Sequence, residues 1–175
     1  MKDDRFFAGG QPRRTFSKSI RRSSLHFMEG VHVWISRIEE EAARDGLDRE
    51  RLKAEVEWRL ASAGIPVVHH PEQPGKTPPA PCLGVLLHLR QADVMPSFYV
   101  FSIEVFFVQT ITSKDDSIQR NMNMTWCREA LGDVQKSGQG ADWSPVFTRL
   151  GSLVDAFIAN YWMVDPQAKT SLLIN

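Results

Sequence analysis

The feature that most constrains the fold is a long alternating segment, Phe98–Thr112, in a chain of 175 residues. Its odd-numbered positions are nearly all apolar: Tyr99, Phe101, Ile103, Val105, Phe107, Gln109 and Ile111. A repeat of two residues is typical of a strand with one buried face. At ~3.3 Å per residue this segment would be about 50 Å long, so a bulge, a bend or a projecting end is expected. The chain is therefore predicted to fold around a β-sheet.

Four shorter segments are also predicted to be strands: 31–36, 65–70, 83–89 and 121–131. In the first and third of these, apolar side chains recur at every second position. A proline-rich loop, residues 71–81, follows the second, and a polar loop is expected at 132–140.

Two helices are predicted. The first spans 48–63: Asp48 is its N-cap, Leu47 and Leu52 are placed to form a hydrophobic staple, and Gly64 ends it. The second begins near 142–145, with Asp142 or Ser144 as its cap, and stops before Pro166. Its apolar stripe has steps of three and four residues: Phe147, Leu150, Val154, Phe157 and Tyr161.

The resulting order is βαββββα. The first strand–helix–strand unit favours a parallel pair through a right-handed crossover, and the shorter later connections favour antiparallel pairing. We expect an α+β two-layer sandwich, in which a mixed, mostly antiparallel five-stranded sheet carries both helices on one face. The predicted domain spans 30–166, preceded by a disordered basic arm, 1–29, and followed by a loose tail, 167–175.

Charge and composition exclude several classes of protein. Lys plus Arg and Asp plus Glu are 21 each, which argues against a specific nucleic-acid partner. No apolar run is long enough to span a membrane. Two cysteines, Cys82 and Cys127, are too few for a disulfide scaffold. Each could instead be an inert thiol, a nucleophile beside a histidine, or half of a single disulfide.

The basic residues are concentrated at the start of the chain. Residues 1–22 contain seven basic and two acidic side chains, so the other 153 carry 14 positive and 19 negative charges. Residues 13–18, Arg-Arg-Thr-Phe-Ser-Lys, resemble a twin-arginine export motif, but further arginines follow where that signal needs an apolar stretch. We therefore predict no functional signal peptide in this segment.

Four segments of the chain resemble a group of small, uncharacterised bacterial cell-envelope proteins. They are the segment from VHVWIS to AGIPV, then FYVFSIEVFFVQ, and then TWC with LVDAFIANYWMVDP. The predicted topology is also similar to domains of the TolB N-terminal type, which bind other proteins. The resemblance implies an envelope or periplasmic location and no particular activity, and this chain departs from the group in lacking an export signal.

The densest set of possible metal ligands is His69, His70 and Glu72, with His88 as a further candidate. Imidazole and carboxylate groups suit zinc, although adjacent histidines on a strand point to opposite faces. Asp115 and Asp116 are expected to form a turn. Neither a glycine-rich phosphate loop nor a nucleophile elbow is present in the sequence. We expect no cofactor.

The second face of the predicted sheet is less polar than a solvent-exposed face should be. Six apolar residues share its parity: Trp34, Leu86, Phe98, Val100, Phe106 and Val108. Either these residues bind a protein partner or a second copy, or the basic arm or the proline loop covers them.

We therefore expect a non-enzymatic binding or scaffolding domain that acts through this apolar face or through a sheet edge. The first alternative is a small metal-dependent hydrolase that uses His69, His70 and Glu72. The second is a small-ligand carrier with a cavity between sheet and helices.

Overall fold

The computed structural model describes residues 30–69, 81–91, 97–111, 121–138 and 140–164. Its sheet has five strands in the spatial order β1-β2-β3-β4-β5. The strands are β1 His32–Ile35, β2 Cys82–Gln91, β3 Phe98–Ile111, β4 Asn121–Ser137 and β5 Gly140–Ala141. The helices are α1 Glu40–Arg44, α2 Arg49–Ser62 and α3 Ser144–Val164. Because β1 pairs with β2 in parallel and the other pairs are antiparallel, the predicted α+β class with a mixed sheet is confirmed.

One strand prediction was wrong, and another gave too short a strand. Of the strand expected at 65–70, the described part makes only a single bridge, Val67 to Val31, and the parallel partner of β1 is β2 instead. Pro66 has no N–H group to donate to a ladder, which disfavours a regular strand there. The fifth strand is β5, and β4 continues to Ser137, within the expected loop. The short helix α1 was not predicted.

The two long helices cover the inward face of the sheet, to which the odd-numbered residues of β1, β2 and β3 point. From α2, Leu52, Val56 and Leu60 are buried in the core. From α3, the Phe157 ring lies 5.2 Å from the ring of Phe107 and 5.4 Å from that of Trp126. This face of the sheet is thus the hydrophobic core.

The local signals for α2 are confirmed. The Asp48 carboxylate accepts a 2.9 Å hydrogen bond from the Glu50 backbone N–H, and Leu47 and Leu52 are both buried. Gly64 has a φ of 77°, the left-handed conformation that follows many helices. For α3 the capping group is Asp142, whose carboxylate accepts from the Ser144 N–H at 3.0 Å.

A polar cluster joins one end of β3 and β4 to α1. The Tyr99 hydroxyl donates to the Asp45 carboxylate at 2.6 Å, and Lys136 Nζ lies 2.9 Å from the same oxygen. The Trp143 indole N–H donates to the Asp45 carbonyl at 2.9 Å. Hydrogen bonds from Tyr99 and Lys136 lower the pKa of Asp45, and the bond to Asp45 raises the pKa of Lys136 to about 12. Lys136 is therefore held in its charged form and acts as a structural tie.

Several predictions lie outside the described residues: the basic arm 1–29, the tail 167–175, Pro166, and the pair Asp115 and Asp116. The bounds of the domain also stay a prediction. None of the helices in the described part of the chain is long and apolar enough to cross a membrane.

Candidate functional site

The face of the sheet opposite the helices, called the outward face here, is formed by the alternate residues of β1 to β4. Its cross-strand rows follow from the register. From one end to the other they are Cys82–Val108–Met124, Gly84–Phe106–Cys127, Leu86–Glu104–Glu129, His88–Ser102–Leu131 and Arg90–Val100–Asp133. Trp34 on β1 is opposite Gly84 and so belongs to the second row. Phe98 and Gln135 form a further pair beyond the fifth row. All six predicted interaction residues therefore lie on this face.

Four of the six residues, together with a fifth from β4, lie towards the end of the face that holds Cys82. We call this group the aromatic cluster; it consists of Trp34, Leu86, Phe106, Val108 and Met124. The Trp34 and Phe106 rings have their centroids 6.4 Å apart. The Phe106 ring lies over Gly84, where an added Cβ would be only 2.2 Å from Phe106 Cζ. Glycine at position 84 therefore allows the ring to lie flat against the backbone.

The remaining two predicted residues, Phe98 and Val100, lie at the other end of the face. Val100 is 51% exposed and Leu131, on the neighbouring strand, is 67% exposed. Ser102 and Glu104 separate this end from the aromatic cluster. The apolar surface is therefore two patches with a polar band between them, rather than the continuous patch that parity alone predicts.

The polar band contains two carboxylates in direct opposition, Glu104 on β3 and Glu129 on β4. Like charges directly opposite each other on a sheet are destabilising. The Cys127 thiol donates to Glu104 Oε1 at 3.3 Å. Partial burial and the two carboxylates raise the pKa of Cys127 to about 12, so its thiol stays protonated at neutral pH. This argues against Cys127 as a nucleophile.

Sequence reasoning missed Met124 and Leu131, both of which lie on β4. Phe107 pairs with Trp126 but Val108 pairs with Met124, so Thr125 is the extra residue of a β-bulge. The bulge reverses the parity of β4, and no simple alternation runs through its sequence. Of the bulge, bend or projecting end expected from the length of β3, the structure has a bulge, with the extra residue on the partner strand.

The structure does not bring the described metal-ligand candidates together. His69 lies beside Glu57 of α2, with Nδ1 3.6 Å from Oε1, and His88 lies on the outward face near the other end of β2. His70 and Glu72 lie outside the described residues. Within the described ranges, no group of three or more His, Cys, Asp or Glu residues could hold a metal ion.

Neither Cys82 nor Cys127 is part of a disulfide bond. Cys82 is buried in the first row and Cys127 is exposed two strands away in the second. The disulfide considered from the sequence is therefore not formed.

A cleft of about 560 Å³ lies where α3 begins. Asp45, Arg51, Trp143 and Phe147 contribute to its walls, and the Arg51 guanidinium lies 4.7 Å from the centre of the Phe147 ring. This cleft is at the ends of the helices, whereas a carrier of the kind considered above would hold its ligand between sheet and helices.

No family model matches the chain, and no curated protein matches it. Among the solved structures that a search finds similar to it are the following two. A hypothetical protein from Chlamydia trachomatis is 13% identical, with 80% of this chain and 100% of that chain covered and a TM-score of 0.46. The rare lipoprotein B from Shewanella oneidensis is 14% identical, with 83% and 98% covered and a TM-score of 0.29. Because both TM-scores are below 0.5, neither likeness bears on function.

Proposed function

We propose that this chain is a non-enzymatic protein-binding domain and that the outward face is its docking surface. The observation that carries the proposal is the exposure of Val100 and Leu131 on a face that also holds the Trp34–Phe106 pair. Contiguous exposed apolar surface that is bordered by polar residues is characteristic of interaction sites. Aromatic side chains packed on a rigid sheet are suitable anchors for a partner.

The face is a better candidate than either edge. At one edge, β1 is flanked by residues 66–68: Val31 N–H donates to the Pro66 carbonyl at 2.8 Å, and Val68 N–H to the Val31 carbonyl at 3.0 Å. At the other edge, the outer side of β4 has a described partner strand, β5, only at Lys136 and Ser137. This edge has a bulge at Thr125 and an exposed charge on Arg128, a residue of inward parity. Bulges and inward-parity charges both protect sheet edges from strand addition.

The charges of the face specify the chemistry of the partner. The outward face carries three acidic residues, Glu104, Glu129 and Asp133. Among the described strand residues, its one lysine or arginine is Arg90. A complementary partner would present apolar side chains bordered by lysine or arginine. A second copy of this chain is an alternative occupant that the experiment distinguishes.

The test compares two double variants of the full chain. Val100→Ser with Leu131→Ser alters the outward face, and Trp58→Ser with Met163→Ser removes apolar groups on the helices that are 63% and 70% exposed. Proteins captured from the source cells are purified and titrated against both variants by calorimetry, and sedimentation velocity measures self-association.

We expect binding to be lost in the first variant and retained in the second, with binding in the unmodified chain weakening at high salt. Sedimentation as a dimer that only the first variant abolishes would identify a second copy as the occupant. Equal binding by the two variants, or a monomer that binds no purified protein, would contradict the proposal.

A further inference from the structure

Residues 1–29 have the composition that the outward face requires of a ligand. Residues 1–22 carry seven basic and two acidic side chains, whereas the remaining 153 residues carry a net charge of minus five. Apolar residues are interspersed with the basic ones: Phe6, Phe7, Phe16, Ile20, Leu25 and Phe27. The segment thus combines positive charge with aromatic groups.

The centre of the outward face is suited to bind a cation. Glu104 and Glu129 are opposite each other, and Arg90, opposite Val100, is two rows away along β2. A guanidinium group placed between two carboxylates removes their repulsion and forms charge-assisted hydrogen bonds to both. The arginines of residues 1–22 are a source of such groups within the same chain.

The outward face is enclosed on its β1 side, where residues 1–29 join the fold, whereas Met124 on β4, in the same cross-strand row as Cys82, is 47% exposed. Gly30 directly precedes β1, and at this end His32 and Cys82, both outward by register, are only 3% and 1% exposed. At the opposite end, Val100 and Leu131 are 51% and 67% exposed. The outward face is thus most enclosed beside the start of β1.

The segment is long enough to cross the whole face. Twenty-nine extended residues reach about 100 Å, whereas the fourteen residues of β3 span about 46 Å.

We infer that residues 1–29 are an internal ligand of the outward face: their arginines bind the Glu104–Glu129 pair and their aromatic groups bind the aromatic cluster. An external partner then has to displace this segment. The inference rests on the proposed function, because it takes the outward face to be a docking surface.

The test is zero-length cross-linking of the full chain with a water-soluble carbodiimide, which joins a lysine amine to a carboxylate in contact. Lys18 is the reporter within residues 1–29, and mass spectrometry locates its cross-links. Lys18→Arg is the matched control, because it keeps the charge but cannot form the cross-link. Mixing nitrogen-15-labelled with unlabelled chains separates links within one chain from links between two.

We expect links from Lys18 to Glu104, Glu129 or Asp133 within single chains, several-fold weaker in about 1 M salt because charges are then screened within ~3 Å. Glu129→Gln should reduce the links to Glu104, because the arginines lose half of their binding site. Links only between labelled and unlabelled chains, or links from Lys18 only to carboxylates off this face, would overturn the inference.

Loss of partner binding in the Val100 and Leu131 variant alongside absent Lys18 links would refute the internal ligand alone. Lys18 links without any partner binding would refute the proposed function alone.

Discussion

The ring of Phe106 occupies the space that a side chain at position 84 would fill, with Cζ 2.2 Å from the position of a Cβ on Gly84. The two residues are directly opposite each other on β3 and β2. Because glycine has no side chain, position 84 leaves room for this ring beside Trp34. This contact links the backbone of the sheet to the shape of the aromatic cluster.

Gly84→Ala should therefore displace Phe106 and lower the free energy of unfolding by about 1–3 kcal/mol, as overpacking does elsewhere. Urea denaturation measures this change. In a Phe106→Ala background the same substitution should have much less effect, because the clash is gone. If Gly84→Ala lowered the free energy of unfolding equally with and without Phe106→Ala, the Phe106 ring would not be the reason for glycine at position 84.

Acid should weaken the tie between α1 and the sheet. Hydrogen bonds from Tyr99 and Lys136 lower the pKa of Asp45 below its ordinary value of 3.8. A carboxyl group whose pKa is lower in the folded state than in the unfolded state stabilises the fold fully at pH values above its unfolded-state pKa. This stabilisation is lost as the pH falls towards and through the folded-state pKa.

The stability difference between the unmodified chain and Asp45→Asn should accordingly be constant at neutral pH and shrink below about pH 4. Tyr99→Phe removes the largest cause of the shift and should reduce the pH dependence. Urea denaturation between pH 7 and pH 3 tests both statements. A difference that stays constant down to pH 3 would contradict them.

The contact between α2 and α3 should depend on a guanidinium group in particular. Arg59 Nη1 lies 2.9 and 2.8 Å from the two Asp155 oxygens, while its Nε donates to Glu55 at 2.7 Å. Lysine cannot make this set of bonds, so Arg59→Lys should destabilise the fold by about 0.5–1 kcal/mol, given that Asp155 is partly exposed. Arg37→Lys, at a site where the side chain is 86% exposed, is the control and should have no effect.

The Cys127 thiol should react slowly with iodoacetamide, because its pKa of about 12 leaves little thiolate at pH 8. Glu104→Gln removes a carboxylate from beside the thiol and should lower this pKa and increase the alkylation rate several-fold. Cys127→Ser measures the background from buried Cys82. A rate at pH 8 equal to that of free cysteine would show that the carboxylates do not restrain the thiol.

The parts of the fold that follow from local periodicity could be predicted from the sequence. Alternation in β3 and around Trp34 is a local property, so the assignment of Trp34 and Phe106 to one face follows from parity alone. The staple of Leu47 and Leu52 likewise depends on residues a few positions apart. Neither requires knowledge of the rest of the chain.

The features that depend on distant residues could not be predicted. The bulge at Thr125 changes the parity of β4, and its position depends on the pairing with β3. Without it, neither Met124 nor Leu131 can be assigned to the outward face. The contact between Asp45 and Lys136 joins residues about ninety positions apart, and no pattern in the sequence connects them.

The central claim is that the outward face is the surface that binds a protein partner. Its most direct test is a photo-activated cross-linking amino acid introduced at Val100, with Thr148 on α3 as the matched exposed position on the opposite layer. We predict that illumination in the source cells joins the Val100 probe to a discrete protein, that the Thr148 probe does not capture it, and that the same product forms with the purified partner. Products that are the same for both probes, or no product from Val100, would contradict the claim.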